Sequence, residues 1–374
     1  MSRAAAPPRR RASSGDAGLR VAAHRLLESV DRELDRRRVE ADLEPARRAP
    51  VDIERLSSLR RSLPGLAALS AAGLRRLATI DAGDVASATR GVADFLNTHA
   101  QLAQRRRRGE TTVDEFGFDQ EWTETLLPLV AWVYRNWWRV RAIGVENVPA
   151  DGRALLVSNH AGVIPYDGAM VRAALLLEHR QPRHARALVL NGLFSMPGAS
   201  WLVRRTGNTL AHNKDALRLL ESDELVLVFP EGAKGTGKPY SDRYRLRRFG
   251  RGGFVEMALR TGSPIIPISI VGSEEIHPNL AEVPALARLL GLPYAPITLT
   301  FPWLGPAGLV PLPSSWIIEF HQPLHLSAAE RNAAGDPGAM LAISDRVRDV
   351  IQDGVYRNLK RRKSVFAYPN RPPG

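Results

Sequence analysis

Between residues 154 and 272 the chain alternates short, almost wholly apolar runs with segments patterned at helical spacing, and this limits the fold more than any other feature. "ALLVSN" (154–159), "ARALVL" (185–190), "ELVLVFP" (224–230) and "PIIPISIVG" (264–272) read as buried strands. "DGAMVRAALLLEH" (167–179), "GLFSMPGASWLVRRTG" (192–207, broken by a proline), "NKDALRLLES" (213–222) and "GGFVEMALRTG" (252–262) read as helices. A strand apolar along its whole length has no polar face to offer water, so both of its faces must be covered. Strand–helix repetition supplies that cover and predicts an α/β fold with a mostly parallel sheet flanked by helices. "PITLTFP" and "SWIIEFHQPL" add later strands, and a helix over about 338–362 ends in "KRRK".

The flanks differ in composition. The 374 residues carry a net charge of +13, of which residues 1–110 hold +8 and residues 353–374 hold +5, leaving 111–352 neutral. Residues 1–18 read as a disordered basic arm and 19–110 as a helical N-terminal region of unassigned role, with "QRRRRG" (104–109) as its linker. Residues 111–144 hold four of the seven tryptophans, Trp122, Trp132, Trp137 and Trp138, beside Arg139 and Arg141. Their apolar run is too short to span a bilayer, and Trp beside Arg suits a helix lying at a membrane interface. The α/β domain is expected over 145–335, and the C-terminal helix and basic tail over 336–374. Residues 289–318 contain no charged residue but six prolines, which fits an apolar loop lining a groove or dipping shallowly into the interface. Basic ends attract anionic surfaces. The expected location is therefore cytoplasmic, peripheral on the inner face of the cell membrane.

With no cysteine, the chain excludes disulfides, thiolate metal sites and an acyl-cysteine intermediate. His321 and His325 are four apart, but on a strand with Pro323 between them, so no metal site is expected. His212 reads as a pocket-rim residue. Gly232 to Lys238 has the spacing of a phosphate-binding loop, yet Pro239 stands where the magnesium-binding hydroxyl belongs, which argues against a nucleotide triphosphatase.

Two stretches carry chemistry. In "SNHAGVIPYDG" (158–168) a strand ends at Asn159, so His160 sits at the carboxyl end of a parallel strand, where open α/β sheets form their sites. Asp167 is either the carboxylate that orients His160 as a base or only the cap of the next helix. In "VFPEGAKGTGKPYSDRYRLRRFGRGG" (228–253) a strand runs into a glycine-rich loop with Lys234, Lys238, Arg243, Arg245, Arg247, Arg248 and Arg251, a composition suited to anions. That loop should share the strand-end rim with His160.

The order of the blocks resembles the glycerolipid acyltransferase family, which includes the 1-acylglycerol-3-phosphate acyltransferases. Asn159-His160 with Asp167, "NGLFSMPGASWLVRRTGN" (191–208), "VFPEGAK" (228–234) and "PIIPISIVG" follow in the family's sequence, over about 150–325. The resemblance implies transfer of a fatty acyl group from acyl-CoA or acyl-carrier protein to a hydroxyl of a lysophospholipid, glycerolipid or other lipid alcohol, without a further cofactor. It makes His160 the base and Asp167 its partner, and sets Glu231, Gly232 and Lys234, with Lys238, Arg205 and Asn208, at the substrate. The family usually has four residues between His and Asp; this chain has six, Ala161 to Tyr166, which Gly162 and Pro165 could let bulge out. Lys234 stands where the family usually has arginine. The rival readings are a catalytically inactive lipid-binding protein of the same fold and a nucleic-acid-binding protein using the arginine-rich ends; the partners expected are lipid, acyl donor and an anionic membrane, not nucleic acid.

Overall fold

The computed structural model describes residues 82–109, 113–162, 164, 166–189, 199–250, 252–282, 296–298, 300–302, 305–332, 335–362 and 364–365. The expected basic arm and the N-terminal helices before Ala82 lie outside them.

Helix α1 (Ala82–Arg107) runs through the arginines that the sequence suggested were a linker. The acids that meet them explain this: Arg105 pairs with Glu121, and Arg106 with Asp119. Asp119 also caps α2 (Gln120–Thr125) by accepting from Trp122 N at 2.9 Å. Helix α3 (Leu127–Trp132) has Pro128 in its first turn and ends in a π-helical turn, Val133–Trp137. The single interfacial helix expected over 111–144 is thus three short pieces. Two of its tryptophans belong to the core: Trp122 and Trp138 are buried, and Trp138 stacks on Trp316 at 4.9 Å. Trp132 and Trp137 are half-buried and stack on each other at 6.3 Å. The segment then enters the sheet as β1 (Arg141–Ile143), so the domain starts before the expected boundary at 145.

The remaining elements follow in alternation: β2 (Ala154–Ser158), α4 (Tyr166–Glu178), β3 (Ala185–Val189), α5 (Ala199–Arg205), β4 (Asn208–Leu210), α6 (Asn213–Glu221), β5 (Leu225–Val228), the single turn α7 (Ala233–Thr236), α8 (Gly253–Thr261) and β6 (Ile265–Val271). Then come β7 (Asn279–Glu282), β8 (Pro296–Thr298), β9 (Ile317–Phe320), α9 (Ala328–Asn332) and α10 (Pro337–Arg361). Seven strands form one sheet in the order β1-β9-β6-β2-β5-β3-β4. The five from β6 to β4 are parallel, and β9 runs antiparallel to β6 with β1 parallel to β9. "PITLTFP" supplies β8, which pairs with β7 in a separate ribbon rather than extending the sheet.

Alternation along β2 assigns the two faces. Ala154 and Leu156 point into a core with α4, Trp138 and Trp316, while Leu155 and Val157 point into another with α6, α8 and α10. Helix α10 approaches β6 closely at Gly354, where a methyl group would overlap the Ser269 hydroxyl and the His321 ring. His321 Nε2 lies 2.7 Å from Ser269 Oγ, and Ser269 donates to Ile351 O, so this histidine braces the sheet against α10.

Candidate active site

β2 is the middle strand, with β5 on one side and β6 on the other. It stops at Ser158, but Asn159 prolongs the pairing with its side chain: Nδ2 donates to Ile270 O (3.0 Å) and Oδ1 accepts from Ile270 N (2.8 Å). A side-chain amide stands in for a peptide group, and the main chain turns off the sheet at His160.

His160 Nδ1 lies 2.7 Å from Asp167 Oδ2. Asp167 is in the first turn of α4 rather than at its cap, and it is buried. Ala161 N donates to the same oxygen and Gly168 N to Oδ1, each at 2.9 Å. With the carboxylate as acceptor, Nδ1 carries the proton and Nε2 keeps its lone pair. The ring stacks on Phe229 (4.3 Å between centroids, 25° between planes), and the His160 side chain is 14% exposed. The longer His–Asp spacing is accommodated: Gly162 takes φ +91°, in the left-handed region that favours glycine. Val163 and Pro165 lie outside the described residues.

Glu231 ties the loop after β5 to this turn. Its Oε1 accepts from His160 N (3.0 Å) and its Oε2 from Arg247 N (2.6 Å). Gly232 then needs φ +54° and ψ −145° to turn into α7. Gly235 permits a close approach to His160. A Cβ there would lie 2.8 Å from His160 O and 2.9 Å from His160 Cβ. Gly235→Ala is therefore expected to displace the histidine and lower kcat by about 10- to 100-fold, with KM changing less, in steady-state acyl-transfer assays.

The other candidates fall into two groups. Lys234 is exposed beside the dyad on α7. Lys238 is buried and committed: its ammonium faces Glu274 (3.2 Å), Arg245 O (3.3 Å) and Glu231 (3.4 Å), so it braces the rim and is closed to substrate phosphate. Arg205 stacks on Trp201 at 4.7 Å and lies 3.9 Å from Asp119. Asn208 donates to Val203 O and Thr206 Oγ1, and stands level with Leu156, below His160 and three strands across. These two hold the β4 edge together, away from the dyad. His212 caps α6, accepting from Lys214 N. The arginine-rich loop does join the rim, through Arg247 N. Tyr244, Leu246 and Phe249 anchor it inward, while Arg243, Arg245, Arg247 and Arg248 face out.

The sequence assigns no role to Gly235 or Glu274, and marks Asn159 only as a strand end and motif residue, not as a mimic of a peptide group. Asn159 and Gly235 stand inside the stretches that carry chemistry; nothing local marks Glu274. Glu274 is buried, and burial pushes its carboxyl up to about 7 from an ordinary 4.5, although Lys238 opposes the shift. The folded state thus binds more protons than the unfolded chain between those values, and the contribution of Glu274 to stability falls as pH rises through that window. Glu274→Gln does not titrate. It is expected to gain on the wild type by about 3 kcal/mol from about pH 4.5 to about pH 7, read from unfolding curves across that range.

The comparisons fit this geometry. A family model described as Acyltransferase matches residues 139–271, from just before β1 to the end of β6. A Mycobacterium tuberculosis (H37Rv) protein of uncharacterised function is 48% identical over 284 residues, 76% of this chain and 77% of that one. The chain belongs to the acyltransferase family. A Mycobacterium leprae protein, also uncharacterised, is 47% identical over 276 residues, covering 74% of this acyltransferase and 75% of itself. A human protein named as a DGAT1/2-independent enzyme synthesizing storage lipids is 26% identical over 132 residues, 35% of this chain and 40% of its own. Among solved structures, the 1-acyl-sn-glycerophosphate acyltransferase PlsC of Thermotoga maritima is similar, with a TM-score of 0.41 and 19% identity, covering 74% of this chain and 99% of that one.

Proposed function

We propose that this acyltransferase moves a fatty acyl group from a thioester, acyl-CoA or acyl-carrier protein, to a hydroxyl of a glycerolipid, lysophospholipid or related lipid alcohol, with His160 as general base and Asp167 as its orienter. The observation that carries the reading is the 2.7 Å contact from His160 Nδ1 to Asp167, which leaves Nε2 with its lone pair at the end of β2. In the reaction Nε2 takes the acceptor's hydroxyl proton as its oxygen attacks the thioester carbonyl. Collapse of the tetrahedral intermediate breaks the C–S bond, and the imidazolium returns the proton to the departing thiolate. Asp167 supports the transient imidazolium.

Lys238 is engaged by acids, and Lys234, exposed next to Gly235, lacks the planar fork arginine offers to phosphate. Both points favour a neutral lipid alcohol as acceptor over a phosphomonoester, as does the storage-lipid name of the human relative. The test is thiol release from acyl-CoA and, separately, from acyl-carrier protein, with a panel of monoacylglycerol, diacylglycerol and lysophospholipid acceptors and the products identified by mass spectrometry. Transfer to none of them, with either carrier, would refute the reading.

For membrane docking the reading narrows to one surface. Among the described residues no helix is long and apolar enough to cross a membrane. Leu309 (41% exposed) and Val310 (57% exposed) stand out from the uncharged stretch, which Trp137 and Trp138 hold by donating to Pro311 O and Leu312 O. His277 Nε2 donates to Leu309 O (2.9 Å) and its ring stacks on Tyr166, the residue before Asp167, so this apolar rim adjoins the dyad. Val310→Asp is expected to weaken flotation with vesicles containing anionic lipid several-fold while leaving the melting temperature unchanged. Undiminished flotation would remove this surface from the account.

A further inference from the structure

The far edge of the sheet holds a charged cluster that chemistry at His160 does not use. Arg172 on α4 is 9% exposed, and Arg186 on β3 is 2% exposed. Both guanidinium groups converge on Gly207. Arg186 Nε donates to its carbonyl at 3.3 Å, and a Cβ built on Gly207 would sit 3.3 Å from Arg172 Nη2. The Phe118 ring is 4.7 Å from Arg186 Cζ and 5.2 Å from the His184 ring, which completes the group.

Most of these charges are answered. Asp114 pairs with Arg186 at 2.6 Å, with Glu224 at 3.9 Å, and Glu124 lies 3.2 Å from His184 Nε2. Arg172 is not. Among the described residues no acid pairs with it and no acceptor takes its buried Nε hydrogen; Arg186 Nη2 and His184 Nδ1 are likewise buried without partners. Burial first, and then the charge of Arg186, lower the Arg172 pKa to about 10, so the group stays charged at neutral pH. An uncompensated buried cation is among the most costly features a fold can carry. The Arg172 guanidinium and the unpartnered Nη2 of Arg186 are charged donors suited to the oxygens of a tetrahedral anion.

We propose that Arg172, with Arg186, binds an oxyanion of phosphate size and charge. The site is separate from the dyad. Arg186 faces Val226 on β5, whereas Val157, three residues before His160, faces Val228. That places the cluster five residues below His160, about 16 Å along the strands. An anion there ties α4 to the β3–β4 edge and to the segment carrying Asp114 and Phe118. It comes either as free phosphate or as the phosphate ester of a lipid headgroup.

The test is thermal unfolding of the whole chain at constant ionic strength in chloride, titrated with inorganic phosphate in one arm and sn-glycerol 3-phosphate in the other. The expected result is a saturable rise in melting temperature, roughly 5–10 °C at a hundredfold excess over Kd, in at least one arm. A rise with inorganic phosphate alone identifies the free ion, a rise with glycerol 3-phosphate alone the ester, and a rise with both a pocket open to any phosphate monoester. No saturable rise in either arm overturns the proposal. Arg172→Met is expected to abolish the dependence, and a titration matching the wild type's would also overturn it. If that variant fails to fold, Arg172→Lys keeps the charge without the fork and is expected to raise the phosphate midpoint at least about tenfold; an unchanged midpoint counts against the site.

Discussion

His160→Ala is expected to lower kcat for acyl transfer by a factor on the order of 10²–10⁴ with little change in melting temperature. The two halves of this expectation have separate causes. The ring carries the only Nε2 lone pair that the dyad offers, so without it the acceptor hydroxyl must be deprotonated by water. The fold loses little, because the clamp from Glu231 grips the main-chain N–H, which alanine keeps. The imidazole itself packs mainly on Phe229 and is partly open to solvent. Thiol release and product formation, measured beside an unfolding curve, check both halves. Activity within a few-fold of the wild type would mean that His160 is not the base.

Asp167→Asn is expected to cost on the order of 10³–10⁴ in kcat. Asparagine has the same shape, so substrate binding and KM should change little. Two outcomes are open to the amide, and both impair the base. If its oxygen stays against His160 Nδ1 and Ala161 N, the imidazolium formed during the reaction loses its counter-charge. If the amide turns, its NH2 donates to Nδ1, the ring proton moves to Nε2, and that nitrogen can no longer accept one. In the second case Gly168 N keeps its acceptor but Ala161 N loses one, so stability changes modestly. The measurement is kcat and KM for the pure variant. A loss confined to KM would make Asp167 a binding residue instead.

Much of the fold could be read from the residues because the central strands are apolar on both faces and bounded by turn formers. Leu155 and Val157 on β2, or Ile266 and Ile268 on β6, have no stable place except inside a covered sheet. The edges were harder to read. β4 is only Asn-Thr-Leu, too short and polar to show a period, and β1 follows directly on tryptophans whose composition suits a membrane interface and a protein core equally well. That ambiguity is why composition points Trp122 and Trp138 toward lipid although both pack inside. The antiparallel run of β9 follows from the path of the chain, and no residue in "SWIIEF" encodes it.

The site divides the same way. His160 and Asp167 are seven apart and their types suggest a pair, but whether they touch depends on the left-handed turn at Gly162, which spacing alone does not fix. Lys238 looked like a phosphate ligand because its acid partners are far away in sequence. Glu274 lies 36 positions on, and only the packing of the β6 turn against the β5 loop brings the two together. Glu231 was expected at the acceptor, and it is instead a buried acceptor for two main-chain N–H groups. Side-chain type says that a carboxylate is present and gives no indication that a backbone will meet it.

The most direct measurement of the central claim is a double-mutant cycle on kcat/KM with His160→Ala, Asp167→Asn and the pair together. If the aspartate acts only through the imidazole, the double variant is no slower than His160→Ala alone. Losses that multiply, each residue costing its full factor in the absence of the other, would show that the two work separately and would contradict the account.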